Sequence, residues 1–176
     1  MQVYHRRCLC VKPIQMRSPV RHPERFKDVE EMLSSNKISF IKRSSLNIHS
    51  SGPDQIRGEL ILLDSIGELS ALYGISTIAI IGKSFRGYGG QNPLEPAFWG
   101  KPILCGPHME NFPIMGNFYR QGAAVQVSED GLYAKLEEML MFPEKAQDIG
   151  SKAQELYRKN TGAVDRAIEI ISRYIS

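Results

Sequence analysis

The sequence predicts an α/β fold with a doubly wound parallel sheet, and three observations carry that prediction. From residue 59 onward, short apolar runs alternate regularly with stretches of helical period. The connections between them are short, as right-handed strand–helix–strand units require. A glycine-rich loop follows one apolar run and leads straight into a helix start, where folds of this class place their ligands.

Taken in order, Pro23 opens a helix that runs through Leu33, and a strand is expected over 38–41, followed by a polar loop over 43–58. Residues 59–64 read as a buried strand, and 65–73 as a short helix closed by Gly74. The next strand covers 77–82. After the glycine-rich loop come a helix over 92–99, a strand over 102–105, a helix over 111–121 and a last short strand over 124–127. From Glu129 the pattern is helical to the end, broken at Pro143 and near Gly162, with Ile168, Ile171 and Tyr174 at helical spacing. Residues 1–18 carry no clear period and read as an irregular, truncated or altered start. The expected organisation is that segment followed by one domain over 19–176.

At 176 residues with 42% hydrophobic and 23% charged side chains, the chain is long enough for a real core and has the composition of a globular protein. Its net charge of +3 is too mild for a nucleic-acid surface, and the whole excess sits in residues 1–25, which leaves the remainder slightly acidic. Three cysteines, with Cys8 and Cys10 only two apart, fit a reducing compartment better than a disulfide scaffold. No apolar run reaches the roughly 20 residues that span a bilayer, so any membrane association is expected to be peripheral. Four scattered histidines have no metal-ligand spacing, and no metal or other cofactor is expected.

The clearest local signal lies in Gly89-Gly90-Gln91-Asn92-Pro93-Leu94-Glu95-Pro96. Asn92 suits an N-cap, Pro93 the first helical position, and Glu95 the third position of a capping box. Gly87, Gly89 and Gly90 permit positive φ and close approach of a backbone or ligand. Two accounts stand side by side here. The turn and its helix start could seat a phosphate or ribose hydroxyls, or the glycines merely turn the chain while Glu95 caps its own helix. The loop is neither a G-x-G-x-x-G fingerprint nor a Walker motif.

The run Gly89 to Ala97, with Trp99-Gly100-Lys101-Pro102 and Gly106-Pro107-His108-Met109-Glu110-Asn111-Phe112, resembles the C-terminal domain of the 3-deoxy-D-manno-octulosonic acid (Kdo) transferases. Two further segments resemble that family in the same order: Arg21-His22-Pro23-Glu24-Arg25-Phe26 and Asp64-Ser65-Ile66-Gly67-Glu68-Leu69. The resemblance runs from about Pro19 to the C-terminus. It implies the Rossmann-like C-terminal half of a two-domain glycosyltransferase of the GT-B type, with this half binding the donor CMP-Kdo or CMP. The CMP contacts it implies fall on Val20 and Arg21, on Ile66, Gly67 and Glu68, and on Asn92, Pro93, Leu94 and Glu95. Val20 departs from the family, which usually has proline there.

Each stretch also has a physical rationale. The Arg21 guanidinium would offer a planar fork of donors to a phosphate or carboxylate and stabilise departing CMP. Gly67 would let backbone amides face a ligand, and Glu68 would accept from cytosine or ribose, or else simply suit a helix's first turn. His108 and Asn111 lie in a loop after a strand and could approach the sugar, with helix capping an equal alternative for Asn111. The resemblance further implies inverting transfer onto a lipid A precursor at the cytoplasmic face of the inner membrane, with the base a glutamate of the N-terminal domain. No catalytic residue is therefore expected in this chain, which would bind donor weakly and catalyse little alone. The C-terminal apolar face could then support a non-native dimer. The competing expectations are a non-catalytic nucleotide-binding module and a nucleotide-sugar epimerase-like domain, which would prefer uridine.

Overall fold

The computed structural model describes residues 15–16, 24–46, 60–87, 89–161 and 171–172. The chain divides into two compact units, Met1–Leu69 and Ser70–Ser176.

The first unit holds a three-stranded parallel sheet of β1 (Gln15–Met16), β2 (Phe40–Lys42) and β3 (Leu60–Leu62), in the order β1-β3-β2. Its register pairs Gln15 with Ile61 and Ile41 with Ile61 across the two edges of β3. β3 is thus the inner strand, and Ile61 and Leu62 are buried accordingly. Helix α1 (Glu24–Ser35) buries Leu33 and closes with Lys37 in the left-handed region, φ 56°, while Lys37 N–H and Ile38 N–H bond back to Ser34 and Leu33. That exit consumes Ile38 and Ser39, so the strand expected over 38–41 begins instead at Phe40. A single 3-10 turn, Arg43–Ser45, follows it, and 47–58 of the expected polar loop lie outside the described residues. β1 falls within the segment expected to be irregular. Its pairing is made with a strand some 45 residues on, which no local period reveals.

The second unit begins within α2 (Leu69–Ile75) and builds a second parallel sheet from β4 (Ala79–Ile81), β5 (Ile103–Cys105) and β6 (Val125–Gln126), in the order β4-β5-β6. β5 is central and its three residues are all buried. The helix expected over 65–73 starts later, because 65–67 form a turn with Gly67 at φ 90°. Nor does Gly74 close it: the helix continues to Ile75, and Gly74 is small because a Cβ there would lie 3.3 Å from the Trp99 ring.

Helix α3 (Leu94–Phe98) ends in a Schellman motif, with Gly100 at φ 63°, Gly100 N–H on Ala97 and Lys101 N–H on Pro96. Helix α4 (Met115–Arg120) is shorter than the 111–121 expected and ends the same way around Gly122. Pro143 does more than break a helix. It separates α5 (Leu132–Met141) from α6 (Pro143–Asn160) by serving as the first residue of α6, where its missing N–H costs nothing. α6 buries Ala146, Gly150, Ala153 and Leu156, a stripe at helical spacing. Ala153 and Leu156 join Ile81, Ala97, Ile103, Cys105, Met115 and Phe118 in the main core cluster of the second unit, while Ala146 packs with Leu104 and Met139 in a smaller one. Full burial of a side chain such as Phe118 contributes about 1.5–3 kcal/mol. Of the C-terminal triplet, Ile171 is exposed, and Ile168 and Tyr174 lie outside the described residues.

Candidate functional site

In the second unit the site is assembled from the loops at the carboxyl ends of β4 and β5, as expected for a parallel sheet. Ser84, fully buried, ties the two loops together. Its hydroxyl donates to the Ile81 carbonyl at 2.6 Å and accepts from Gly106 N–H at 2.7 Å, while His108 N–H bonds the Ser84 carbonyl at 2.9 Å. The approach is so close that a Cβ on Gly106 would lie 2.2 Å from the Ser84 carbonyl oxygen.

The segment after β5 backs the glycine turn. Gly89 (φ 97°) and Gly90 (φ 52°) are held where a side chain would strike Asn111 Nδ2 at 1.9 Å and Met109 Sδ at 2.2 Å. Glu110 joins the two pieces: one carboxylate oxygen accepts from Gly89 N–H at 3.3 Å and the other faces His108 Nδ1 at 3.2 Å. Its own backbone N–H, then His108 and Gly89, hold the Glu110 carboxyl below the ordinary carboxylate value against the opposing effect of burial. His108 is therefore oriented by a carboxylate. Asn111 does not cap α4, whose preceding residue is Ile114; it fills the space that Gly89 leaves.

The expected helix start is half realised. Asn92 Oδ1 accepts from Leu94 N–H at 3.0 Å, and Pro93 has helical dihedrals, φ −78° and ψ −14°. The first backbone bond is Ala97 N–H to Pro93, because Pro96 has no N–H to offer the Asn92 carbonyl. α3 consequently starts at Leu94, not Asn92, and at five residues is too short for its dipole to carry an anion site. The capping box stays open. Among the described residues, no hydrogen bond or ion pair engages the Glu95 carboxylate, so an acceptor-only group stands uncommitted beside the turn.

In the first unit, Ile66 is 83% exposed and Gly67, at φ 90°, has no atom within 4 Å of where its Cβ would be. This is an open, uncovered turn at the carboxyl end of β3. Glu68 precedes α2 and is not part of its first turn. Its Oε1 pairs with Arg43 Nη2 at 2.7 Å and its Oε2 takes the Ser65 hydroxyl, so Glu68 is already anchored before any ligand arrives. Asp64 is similarly gripped by Ser44, through the backbone N–H at 2.8 Å and the hydroxyl at 2.5 Å. Val20 and Arg21 lie outside the described residues. Arg43, Ser84 and Glu110 build the site without being among its expected residues: nothing local marks Arg43 or Ser84, and Glu110 stands in the family-like run 106–112, where only His108 and Asn111 are expected to face a ligand.

Cys105 at the end of β5 is free and buried, and burial pushes its thiol up. The Tyr119 hydroxyl 3.1 Å away is pushed up too, first by burial and then by the thiol. At neutral pH neither is an anion, and the pair is a packing contact rather than a nucleophile.

No family model matches the chain. A 3-deoxy-D-manno-octulosonic acid transferase of Haemophilus influenzae is 35% identical over 161 residues, which cover 88% of this chain and 36% of that protein. One from Aquifex aeolicus is 30% identical over 145 residues, 74% of this chain and 41% of that protein. Among solved structures, the C-terminal CMP-Kdo binding domain of WaaA from Acinetobacter baumannii matches with a TM-score of 0.64 at 29% identity, covering 77% of this chain and 69% of that one. The chain belongs to the Kdo transferase family. Like that domain of the family it is α/β and Rossmann-like, with parallel sheets, as its sequence predicted. It spans well under half the length of the full Kdo transferases it matches.

Proposed function

We propose that this chain holds the donor CMP-Kdo for a Kdo transferase. The observation that carries the proposal is the shared fold and 29% identity with a solved CMP-Kdo binding domain, to which the family motif around Gly89–Pro96 adds a fixed turn and an unengaged Glu95. Asn92, Pro93, Leu94 and Glu95 are proposed CMP contacts, Glu95 accepting from ribose hydroxyls. By the family pattern Val20, Arg21, Ile66, Gly67 and Glu68 are proposed CMP contacts as well. His108 and Asn111 are proposed to lie toward the sugar.

The chemistry assigned to these groups is differential binding: donors that grip the leaving phosphate more tightly as its charge grows. In the whole enzyme, a GT-B glycosyltransferase, a base from the preceding domain would take the proton of the lipid A precursor's hydroxyl at the cytoplasmic face of the inner membrane. The transfer is proposed to need no metal ion. Among the described residues, no helix is long and apolar enough to cross a membrane.

Calorimetric titration with CMP tests the reading. CMP binds weakly, and Glu95→Ala and Arg21→Ala each weaken it without unfolding the chain; removing divalent cations with a chelator changes nothing. Mixing the chain with a separately produced N-terminal half and CMP-Kdo restores transfer. Failure to restore it, with CMP still bound, favours a non-catalytic nucleotide-binding module. A Glu95→Ala variant that loses only thermal stability makes that residue a structural one.

A further inference from the structure

Among the described residues, the glycine turn holds one buried polar group without a hydrogen-bond partner. The Gln91 carboxamide lies over Gly82 at the end of β4, with Oε1 3.8 Å from the place a Cβ would take there. Its Nε2 is buried and, among the described residues, donates to nothing. Leaving such a donor unpaired destabilises the free chain, and this one sits between two glycines in the left-handed region and Asn92, which accepts from Leu94 N–H. A buried amide that stabilises nothing in the free chain is understandable where a ligand completes it. Gln91 as a residue is only half-buried, and its three rotatable side-chain bonds allow the NH2 to turn toward a ligand at the surface of the turn.

We infer that Gln91 is a further donor-site residue, whose Nε2 donates a hydrogen bond to an acceptor oxygen of the bound CMP moiety. It complements Glu95, which accepts only, four residues along the same turn. Chemically the two divide the work: Glu95 takes hydroxyl hydrogens, and Gln91 serves a phosphate, ribose or base oxygen. This inference rests on the donor-binding reading above and adds a residue to it.

Replacement of Gln91 by methionine keeps the size and flexibility of the side chain and removes both donors. The inference requires effects of opposite sign. In the ligand-free full-length chain, Gln91→Met raises the melting midpoint by roughly 2–5 °C, because the unpaired donor is gone. In calorimetry, the same variant binds CMP roughly tenfold more weakly. Gln91→Glu, which replaces the donor by a charged acceptor, weakens CMP at least as much and provides a second, independent binding readout. Titration with cytidine and with inorganic phosphate locates the oxygen. A loss confined to CMP and phosphate assigns it to the phosphate, and an equal loss with cytidine assigns it to ribose or base. CMP affinity within twofold of wild type in both variants, or a lowered midpoint in Gln91→Met, overturns the inference while wild-type binding leaves the donor-binding reading standing. Wild-type chain that ignores CMP overturns both.

Discussion

Replacing Ser84 by alanine probes the joint on which the second unit's candidate site is built. The change deletes a single buried oxygen that makes two short bonds, one to the Ile81 carbonyl at 2.6 Å and one from Gly106 N–H at 2.7 Å. Losing the first costs about 1 kcal/mol, and leaving the second partner buried without an acceptor costs about 1–3 kcal/mol more. Ser84 is fully buried, so water offers little relief. The sum, about 2–4 kcal/mol, lowers the melting midpoint by roughly 6–12 °C at this chain length. Circular dichroism melts and urea unfolding measure it, and the urea midpoint should fall with the slope unchanged. CMP affinity should fall too, because the hydroxyl's bond from Gly106 N–H holds the start of the segment that backs the glycine turn. A midpoint within about 1 °C of wild type would refute the claim that this hydroxyl locks the β4 and β5 loops together.

Three further outcomes follow from named contacts. Gly150→Ala gains about 1 kcal/mol of helix propensity, yet its Cβ would sit 2.2 Å from the Gly100 carbonyl oxygen, so the variant is less stable in urea than wild type. Glu110→Gln keeps an acceptor for Gly89 N–H but turns an NH2 toward His108 Nδ1. Nitrogen NMR should therefore show the neutral His108 proton moving from Nδ1 to Nε2, with CMP binding weakened. For Asp64, burial raises the carboxyl's pKa but the Ser44 hydroxyl and N–H outweigh it, leaving the value lowered. A lowered carboxylate contributes fully above its unfolded value near 4 and loses that contribution as pH falls through the lower folded value. Urea midpoints should thus decline on acidification below about pH 4, and Asp64→Asn should flatten that decline.

Local signals in the sequence were read correctly where the physics is local. The apolar runs became β3, β4 and β5, and Asn92 accepts from Leu94 N–H at the helix start because the two are only two residues apart. Boundaries failed where a single residue's chemistry intervened. Pro96 denied the Asn92 carbonyl a partner and moved the helix start, and the turn at Gly67 delayed α2. The expectation that Glu95 completes a capping box failed as well, and that failure leaves its carboxylate uncommitted. Long-range partnerships were illegible. Nothing near Ser84 announces Gly106, nothing near Arg43 announces Glu68, and the two-residue β1 exists only through β3. Gly89 and Gly90 were recognised as permissive, but the residues that require them, Asn111 and Met109, became visible only with the fold.

The central claim is that this chain recognises a cytidine nucleotide. Calorimetric titration of the wild-type chain with CMP and, separately, with UDP tests it most directly. The account predicts heat of binding with CMP, little or none with UDP, and a weakened CMP isotherm for Glu95→Ala at an unchanged melting midpoint. Binding of UDP with CMP ignored would contradict it and point to an epimerase-like domain instead.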